Sequence, residues 1–334
     1  MPGAPEASHH AIGFIGLGAL GAPMAANLIH AGFPLTLHNR SREREAVLLE
    51  GLGGGRGGNR NAALEPNGLG RTIPIHRAGS PAETAASAGR GTGILCLCLS
   101  DDAAVEAVLL DGDGAAIHGL QPGALVVDFS TIAPATTRRL AEHCASRGIA
   151  WLDAPVTGGT EGARAGTLSV LVGGETHQLE RARPLLEVVG SRITHFGPVG
   201  AGQQAKAVNQ VLVAGSYAAV AEAVALGQRL GLPMAELVAA LEGGAAGSWA
   251  LTNRSANMLA NDFPLGFKLS LHRKDLAIAL AEAADAGLEL PVSAQVAALE
   301  DSLINRGHGE EDVSALARWF SRQASGTAPA QYQP

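Results

Sequence analysis

The segment that most constrains this chain is a glycine-rich turn between a predicted strand and a predicted helix. It reads Gly13-Phe14-Ile15-Gly16-Leu17-Gly18-Ala19-Leu20-Gly21 and follows an apolar run that starts at Ala11. In Gly-x-Gly-x-x-Gly the first glycine permits a tight turn, the second lets the backbone approach a pyrophosphate, and the third lets helix and strand pack closely. The helical pattern over residues 23–30 would present free N–H groups to phosphates. This context favours dinucleotide binding over an ordinary turn. The predicted cofactor-binding residues here are Gly16, Leu17, Gly18, Ala19, Leu20 and Gly21.

The residues after the second predicted strand indicate which dinucleotide is bound. The apolar run over 34–38 ends in Asn39-Arg40-Ser41-Arg42. An NAD site usually carries an acidic residue here to bind the ribose 2′-hydroxyl. A guanidinium and a hydroxyl suit a 2′-phosphate instead. We therefore favour NADP(H) over NAD(H), with Asn39, Arg40 and Ser41 at the cofactor. The alternative is an exposed basic helix start.

Composition and charge narrow the class of protein. A chain of 334 residues is long enough for two domains, and its net charge of −7 gives no indication of a nucleic-acid or membrane partner. No apolar run reaches the roughly 18 residues of a membrane span. Cys96 and Cys98 alternate along one predicted strand and are expected in the core. The eleven histidines show no metal-ligand spacing. We expect a cytoplasmic protein without a metal.

The pattern of predicted elements changes near residues 197–202. Before them, short apolar runs alternate with helical stretches, which predicts a mostly parallel Rossmann sheet with helices on both faces. After them only helical patterns follow. We predict an α/β Rossmann domain over 11–198 and an all-helical domain over 199–324, with flexible tails at 1–10 and 325–334. The expected strands are 12–15, 35–38, 94–99, 125–129, 151–153 and 169–172, and the expected helices of the second domain are 203–230, 234–241, 248–260, 269–286, 293–306 and 312–322.

A glycine-rich stretch interrupts the alternating pattern of the first domain. Residues 51–70 hold eight glycines and little to bury, so we expect a mobile surface insertion over 51–72. Phosphate binding by Arg56 or Arg60 is the minor alternative.

Two segments outside the glycine turn could carry chemistry. Thr157-Gly158-Gly159 ends a strand-like run, and its backbone N–H groups and hydroxyl could hold a carboxylate, although an ordinary turn fits as well. Lys206 lies in the long predicted helix, with Asn209 and Gln210 on its face. Apolar neighbours would lower the pKa of Lys206 towards working pH and suit it to proton transfer, whereas a snorkelling lysine is the alternative.

These motifs together resemble the β-hydroxyacid dehydrogenase family. The quoted opening with Pro23-Met24-Ala25 and Asn27, the run Asp153 to Gly159, Gly200-x-Gly202-x-x-x-Lys206-x-x-Asn209, and Phe267 through Lys274-Asp275 resemble its four motifs in order. Taken alone, Lys274-Asp275 reads as a surface salt bridge.

The resemblance implies a role for each motif. Lys206 would protonate the carbonyl oxygen as hydride arrives from the nicotinamide. Thr157, Gly158 and Gly159 would grip a substrate carboxylate. The remaining substrate-binding residues would be Asn209, Gln210, Phe267 and Asp275, and the remaining cofactor-binding residues Leu99, Thr131 and Lys274.

Within the family, residues 166–174, the Asn209-Gln210 pair and the Leu271-His272-x-Lys274-Asp275-Leu276 run resemble tartronate semialdehyde (2-hydroxy-3-oxopropionate) reductases. The expected reaction is NAD(P)H-dependent reduction of tartronate semialdehyde to D-glycerate. A 3-hydroxyisobutyrate dehydrogenase or a glyoxylate/succinic semialdehyde reductase is the near alternative. Imine reduction and a role as a non-catalytic NADP sensor are the further, less favoured alternatives. Family members are commonly dimers or tetramers, so we expect a homo-oligomer and only a small carboxylate as ligand partner.

Overall fold

The computed structural model describes residues 12–52, 61–64, 73–88 and 93–321, with the backbone alone described over 61–64. The chain divides into two compact units, the first ending at Lys206 and the second beginning at Ala207. The expected tails at 1–10 and 325–334, and Arg56 and Arg60, lie outside the described residues.

The first unit is built on one ten-stranded sheet. Its strands are β1 Ile12–Ile15, β2 Leu35–His38, β3 Asn61–Leu64, β4 Ile73–Arg77, β5 Ile94–Leu97, β6 Leu125–Asp128, β7 Ala150–Asp153, β8 Val156–Thr157, β9 Leu168–Gly174 and β10 Gly190–Gly197. They lie in the order β10-β9-β7-β6-β5-β1-β2-β4-β3, and β8 pairs with β9. From β7 to β4 every pairing is parallel.

Helices cover both faces of this sheet because its central strands are apolar on both sides. Phe14 packs into one core cluster with Leu28, whereas the next residue, Ile15, packs into the other with Leu109. The helices of this unit are α1 Gly21–His30, α2 Arg42–Gly51, α3 Pro81–Ser87, α4 Asp102–Leu110, α5 Pro134–Ala145, α6 Gly159–Ala165 and α7 Thr176–Val189.

The strand order places a crevice at the carboxyl end of β1. From β1 the chain proceeds to β2 on one side and later to β5 on the other. A ligand of an open α/β sheet binds where the strand order reverses in this way. The glycine turn follows β1, Leu99 follows β5 and Thr131 follows β6, so all three lie at this edge.

The described part of the second unit consists of helices joined by turns and loops and has no β-strand of its own. The helix α8, Ala201–Arg229, begins in the first unit and continues into the second. It is followed by α9 Met234–Leu241, α10 Trp249–Ala260, α11 Leu269–Asp285, α12 Pro291–Leu303 and α13 Ala317–Ser321. Ala214, Ala221 and Val224 of α8 pack into the core of this unit.

Among the described helices, α8 alone has the length and apolar composition to cross a membrane, with a mean hydropathy of 1.4. The sequence reading did not recognise this property. It is weak evidence, because core helices of soluble proteins share it.

The expected fold class, a mostly parallel Rossmann-like sheet followed by a helical region, is confirmed. The sequence reading missed four strands, β3, β4, β8 and β10. The strand β10 is largely exposed along the sheet edge, so it lacks the continuous apolar run of the central strands. The strand β8 has only two residues.

Three expectations about local structure were wrong in detail. Within the expected insertion, residues 61–64 form β3 and pair antiparallel with β4, while residues 53–60 and 65–72 lie outside the described part. The helix expected over 293–306 ends at Leu303 and continues as a wider turn in which Gly307 has φ of 90°. The helix expected from residue 312 is a 3₁₀ turn, Val313–Leu316, followed by α13.

Candidate functional site

The glycine turn after β1 is closed on the sheet side and open on the other. A Cβ on Gly16, whose φ is +100°, would lie 2.3 Å from the carbonyl oxygen of Cys98, and one on Gly21 would lie 1.9 Å from that of Gly16. At Gly18 the nearest atom to such a Cβ is Nη1 of Arg44, at 3.7 Å. The turn therefore fits a dinucleotide, because only its outer side leaves room for a pyrophosphate.

Asn39 shapes this turn from the end of β2. Its Oδ1 accepts a hydrogen bond from the Leu17 N–H at 2.8 Å, and its Nδ2 donates to the Ser41 carbonyl oxygen at 2.8 Å. Its own N–H donates to Oε1 of Glu45 at 2.8 Å. The buried Asn39 side chain is thus engaged with the protein, and it holds the Leu17 backbone in place.

The basic residues after β2 differ in how they are used. Arg42 pairs with the buried Glu45 at 2.8 Å, so its charge is committed within the protein. Arg40 and Arg44 are exposed. The Ser41 hydroxyl donates to Oε2 of Glu43 at 2.8 Å. The available cations at this edge are therefore Arg40 and Arg44. Sequence reasoning missed Arg44, although its place on the first turn of α2 was a usable signal.

A hydrogen-bonded clamp surrounds Thr131. The Gln203 side chain donates from Nε2 to the Ser130 carbonyl oxygen at 2.8 Å and accepts from the Ile132 N–H at 3.3 Å. The Ser130 hydroxyl oxygen accepts from the Leu99 N–H at 2.9 Å. The start of α8 is thereby tied to the loops after β5 and β6. These are the two loops that carry the predicted cofactor residues Leu99 and Thr131.

Asp153 anchors the N-terminus of α8 to the end of β7. Its two carboxylate oxygens accept from the Gly200 N–H at 2.8 Å and the Gln203 N–H at 2.9 Å. Asp153 is fully buried, and this burial raises the pKa of its carboxyl, while the backbone N–H donors oppose the rise. Because N–H groups at a helix start are otherwise unpaired, this carboxylate stabilises the helix that carries Lys206.

Lys206 lies in the second turn of α8 and is 7% exposed. Its Nζ donates to the Val156 carbonyl oxygen at 3.0 Å. The segment from Asp153 to Val156 therefore holds both the helix start and the ammonium group. Thr157 follows directly, so the lysine and the predicted carboxylate loop are neighbours in the first unit.

The Thr157-Gly158-Gly159 loop has a backbone that requires glycine. Gly158 has φ of 133° and Gly159 has φ of 64°, both unfavourable for other residues. Thr157 pairs with Ser169 in the sheet, and α6 begins at Gly159. Among the described residues no partner is present for the Thr157 hydroxyl, which can therefore donate to a ligand.

The second unit contains a chain of four polar side chains. The Asn209 Nδ2 donates to Oε1 of Gln210 at 2.7 Å, and the Gln210 Nε2 donates to Oδ2 of Asp275 at 2.9 Å. The Lys274 Nζ lies 2.8 Å from Oδ1 of Asp275. Asp275 is only 3% exposed. The interpretation of Lys274-Asp275 as a surface salt bridge is therefore wrong for Asp275, whose carboxylate is buried.

Phe267 is held from two directions. Its N–H donates to Oδ2 of Asp312 at 2.9 Å, and its ring contacts that of His272 edge-on at 5.7 Å. The Nδ1 of His272 lies 2.5 Å from Oε1 of Glu300, and both side chains are fully buried. Asp312, Glu300, Gln203 and Ser130 were missed by sequence reasoning, because their partners are distant in the chain.

Among the residues that the structure describes, no group of three or more His, Cys, Asp or Glu side chains could hold a metal ion.

Comparisons with known proteins agree with this architecture. Residues 11–197 match the NAD binding domain of 6-phosphogluconate dehydrogenase, and residues 200–320 match the family described as NAD-binding of NADP-dependent 3-hydroxyisobutyrate dehydrogenase.

Three individual proteins illustrate the range of relatives. The NAD-dependent L-serine dehydrogenase of Pseudomonas aeruginosa is 36% identical over 92% of this chain and 97% of its own length. The 2-hydroxy-3-oxopropionate reductase of Escherichia coli is 35% identical over 94% and 98%. A solved structure of Mycobacterium tuberculosis 3-hydroxyisobutyrate dehydrogenase with L-serine superimposes with a TM-score of 0.75 at 29% identity, covering 93% of this chain and 98% of that one.

Proposed function

Because this chain belongs to the 3-hydroxyisobutyrate dehydrogenase-like family of β-hydroxyacid dehydrogenases, we propose that it interconverts a small 3-hydroxyacid and its semialdehyde. It is an NAD-binding dehydrogenase by family. Our preferred reaction is reduction of 2-hydroxy-3-oxopropionate (tartronate semialdehyde) to D-glycerate. The nicotinamide cofactor supplies the hydride in that direction.

The observation that carries this proposal is the placement of Lys206. Its ammonium is almost fully buried and hydrogen-bonded to the Val156 carbonyl oxygen, directly before Thr157. An ammonium held in this way can give a proton to a carbonyl oxygen that becomes an alcohol, and the neutral amine can take it back in the oxidative direction. We assign Lys206 as the general acid and base.

The carboxylate of the substrate has a matching set of donors. The Thr157 hydroxyl and the N–H groups of the Gly158-Gly159 turn are neutral donors in one short loop, a recognised arrangement for binding an anion. These donors directly follow Val156, whose carbonyl oxygen binds the Lys206 ammonium. This arrangement suits a substrate in which one carbon atom separates the carboxylate from the reacting carbon.

Cofactor preference follows from the basic residues after β2. Arg40 and Arg44 are exposed near the glycine turn, whereas Arg42 is paired with Glu45. No acidic side chain occupies the position of Arg40 to bind a ribose 2′-hydroxyl. We propose that the chain prefers NADP(H) and also accepts NAD(H), with Arg40 and Arg44 next to the 2′-phosphate.

The substrates in the names of the relatives share one scaffold. L-serine, 3-hydroxyisobutyrate and glycerate, which is the reduced form of 2-hydroxy-3-oxopropionate, are all 3-hydroxypropionates. They differ only in the C2 substituent, which is ammonium, methyl or hydroxyl. In this proposal Lys206 acts at C3 and the Thr157 loop binds the carboxylate, and all three substrates share these two groups. The same residues are therefore suited to all three substrates.

The proposal is tested by following the near-ultraviolet absorbance of reduced nicotinamide in the purified protein. NADPH and NADH are each offered with 2-hydroxy-3-oxopropionate, methylmalonate semialdehyde, succinic semialdehyde, glyoxylate and a cyclic imine. We expect the fastest NADPH oxidation with 2-hydroxy-3-oxopropionate. Oxidation with the imine alone, or cofactor binding without turnover of any compound, would contradict the proposed function.

A further inference from the structure

The four polar side chains of the second unit, Asn209, Gln210, Asp275 and Lys274, form a hydrogen-bonded chain. Its donors and acceptors can be arranged in only one direction. Asp275 is a carboxylate paired with the Lys274 ammonium, and a carboxylate in that state accepts hydrogen bonds and donates none. Gln210 therefore has to turn its NH₂ group towards Asp275, as the 2.9 Å contact to Oδ2 shows.

This orientation fixes the next residue in turn. With its NH₂ group on Asp275, Gln210 can present only its carbonyl oxygen to Asn209. Asn209 must then donate its own NH₂ group, across the 2.7 Å contact. The carbonyl oxygen of Asn209 is left as the outer end of the chain, without a hydrogen-bond partner among the described residues.

The burial of Gln210 and Asp275 prevents the hydrogen bonds of this chain from reversing their direction. Gln210 is 1% exposed and Asp275 3% exposed, so neither can exchange its partner for water without leaving a buried polar group unpaired. Asn209 is only partly buried. Its position three residues after Lys206 in the unbroken helix α8 puts the two side chains on one helix face.

We propose that Gln210 is a positioning residue that holds the Asn209 amide with its carbonyl oxygen towards the substrate, so that the enzyme selects substrates with a hydrogen-bond donor at C2. The inference rests on the proposed function and narrows its substrate class. Hydroxyl and ammonium substituents donate to a carbonyl oxygen, whereas a methyl group of nearly the same size cannot. The Asn209 oxygen then discriminates by chemistry and not by volume, since a site built to pair a polar substituent rejects an analogue that lacks it.

The test uses a matched substrate set in the oxidative direction. Glycerate, serine and 3-hydroxyisobutyrate, each as both enantiomers, are compared by kcat/KM with NADP⁺ and with NAD⁺. For the wild type we expect the better enantiomer of glycerate or serine to exceed that of 3-hydroxyisobutyrate by at least about tenfold, roughly the value of one hydrogen bond.

Gln210→Met separates positioning from a general structural role. Methionine is close to glutamine in size but has no amide group to accept from Asn209 or to donate to Asp275. The Asn209 amide is then free to rotate. We expect the preference to fall to about twofold or less, because kcat/KM for glycerate and serine falls further than kcat/KM for 3-hydroxyisobutyrate. Gln228→Met, the same change at an exposed glutamine of α8, should leave the preference intact.

The outcomes separate this inference from the function on which it rests. A wild type that favours the methyl substrate, or a Gln210→Met enzyme that slows on all substrates equally and keeps the ratio, overturns the role of Gln210 alone. Absence of turnover for all three substrates overturns the inference and the proposed function together.

Discussion

The ammonium of Lys206 donates a hydrogen bond to the carbonyl oxygen of Val156 at 3.0 Å, across 50 residues of sequence. The contact joins helix α8 to β8, the strand that ends at the predicted carboxylate loop. Asp153, the last residue of the preceding strand β7, makes a second connection to the start of α8, through the Gly200 and Gln203 N–H groups. Two independent hydrogen-bonded contacts therefore determine where the lysine lies relative to Thr157.

Replacing Gln203 should slow catalysis and lower the free energy of unfolding. Gln203→Met removes both hydrogen bonds to the Thr131 loop and leaves a buried carbonyl and a buried N–H without partners. We expect kcat to fall by about 10- to 100-fold and the free energy of unfolding by about 2–4 kcal/mol. Steady-state kinetics and urea denaturation measure the two effects. A kcat equal to that of wild type would mean that the loop does not depend on Gln203.

Asp153 should give stability a specific pH dependence. Burial raises the pKa of its carboxyl in the folded state, so the folded protein binds this proton more tightly than the unfolded chain. Its contribution to stability is therefore greatest at low pH, falls as pH rises through the interval between the unfolded and folded pKa values, and is constant above them. The free energy of unfolding of wild type minus that of Asp153→Asn, measured by urea denaturation from about pH 4 to pH 7, should decline with pH. A rise would show that the N–H donors outweigh burial.

Arg40 should set cofactor preference. Arg40→Asp replaces an exposed guanidinium with a carboxylate that repels a 2′-phosphate and accepts from a ribose hydroxyl. The ratio of kcat/KM for NADPH to that for NADH should fall by about 10- to 100-fold, the range of one or two charge-assisted hydrogen bonds. Arg192→Asp, at an exposed arginine of β10, is the matched control. An unchanged ratio in Arg40→Asp would place Arg40 outside the cofactor site.

The three cysteines should be unreactive in the folded protein. Burial raises the pKa of Cys98 and that of Cys144 to about 12, and it raises the pKa of Cys96 as well. Since the thiolate is the reactive form, native protein at about pH 8 should take up almost no iodoacetamide. Protein in urea should be labelled at all three positions. Rapid native labelling at Cys98, next to the glycine turn, would show that this region opens to solvent.

Local signals in the sequence were enough for the central strands, the glycine turn and the long helix. Each has a strong pattern of its own, such as the continuous apolar run of β5 or the glycine spacing after β1. The edge strand β10 has polar, exposed positions and no such pattern, because only one neighbour and one face support it. Its presence depends on pairing with β9, which no local signal reveals.

The supporting residues of the candidate site were hidden for a related reason. Gln203 acts on Ser130, 73 residues away, and Asp153 acts on Gly200, 47 residues away. Gln210 was predicted to bind substrate on the family resemblance, and its spacing placed it on the helix face of Lys206. The fold buries it against Asp275, and that contact led to its assignment as a positioning residue. Motifs identify the groups that do chemistry, whereas the groups that orient them become visible only when distant segments are brought together.

The most direct test of the account is the effect of Lys206→Met on turnover and on cofactor binding, measured on the same preparation. Wild type and variant are compared by kcat with the best semialdehyde from the panel and by the Kd for NADPH from nicotinamide fluorescence. If Lys206 transfers the proton, kcat falls by about 10²- to 10⁴-fold while the Kd for NADPH stays within about threefold. A variant that keeps wild-type kcat would contradict the assignment of Lys206 and the mechanism built on it.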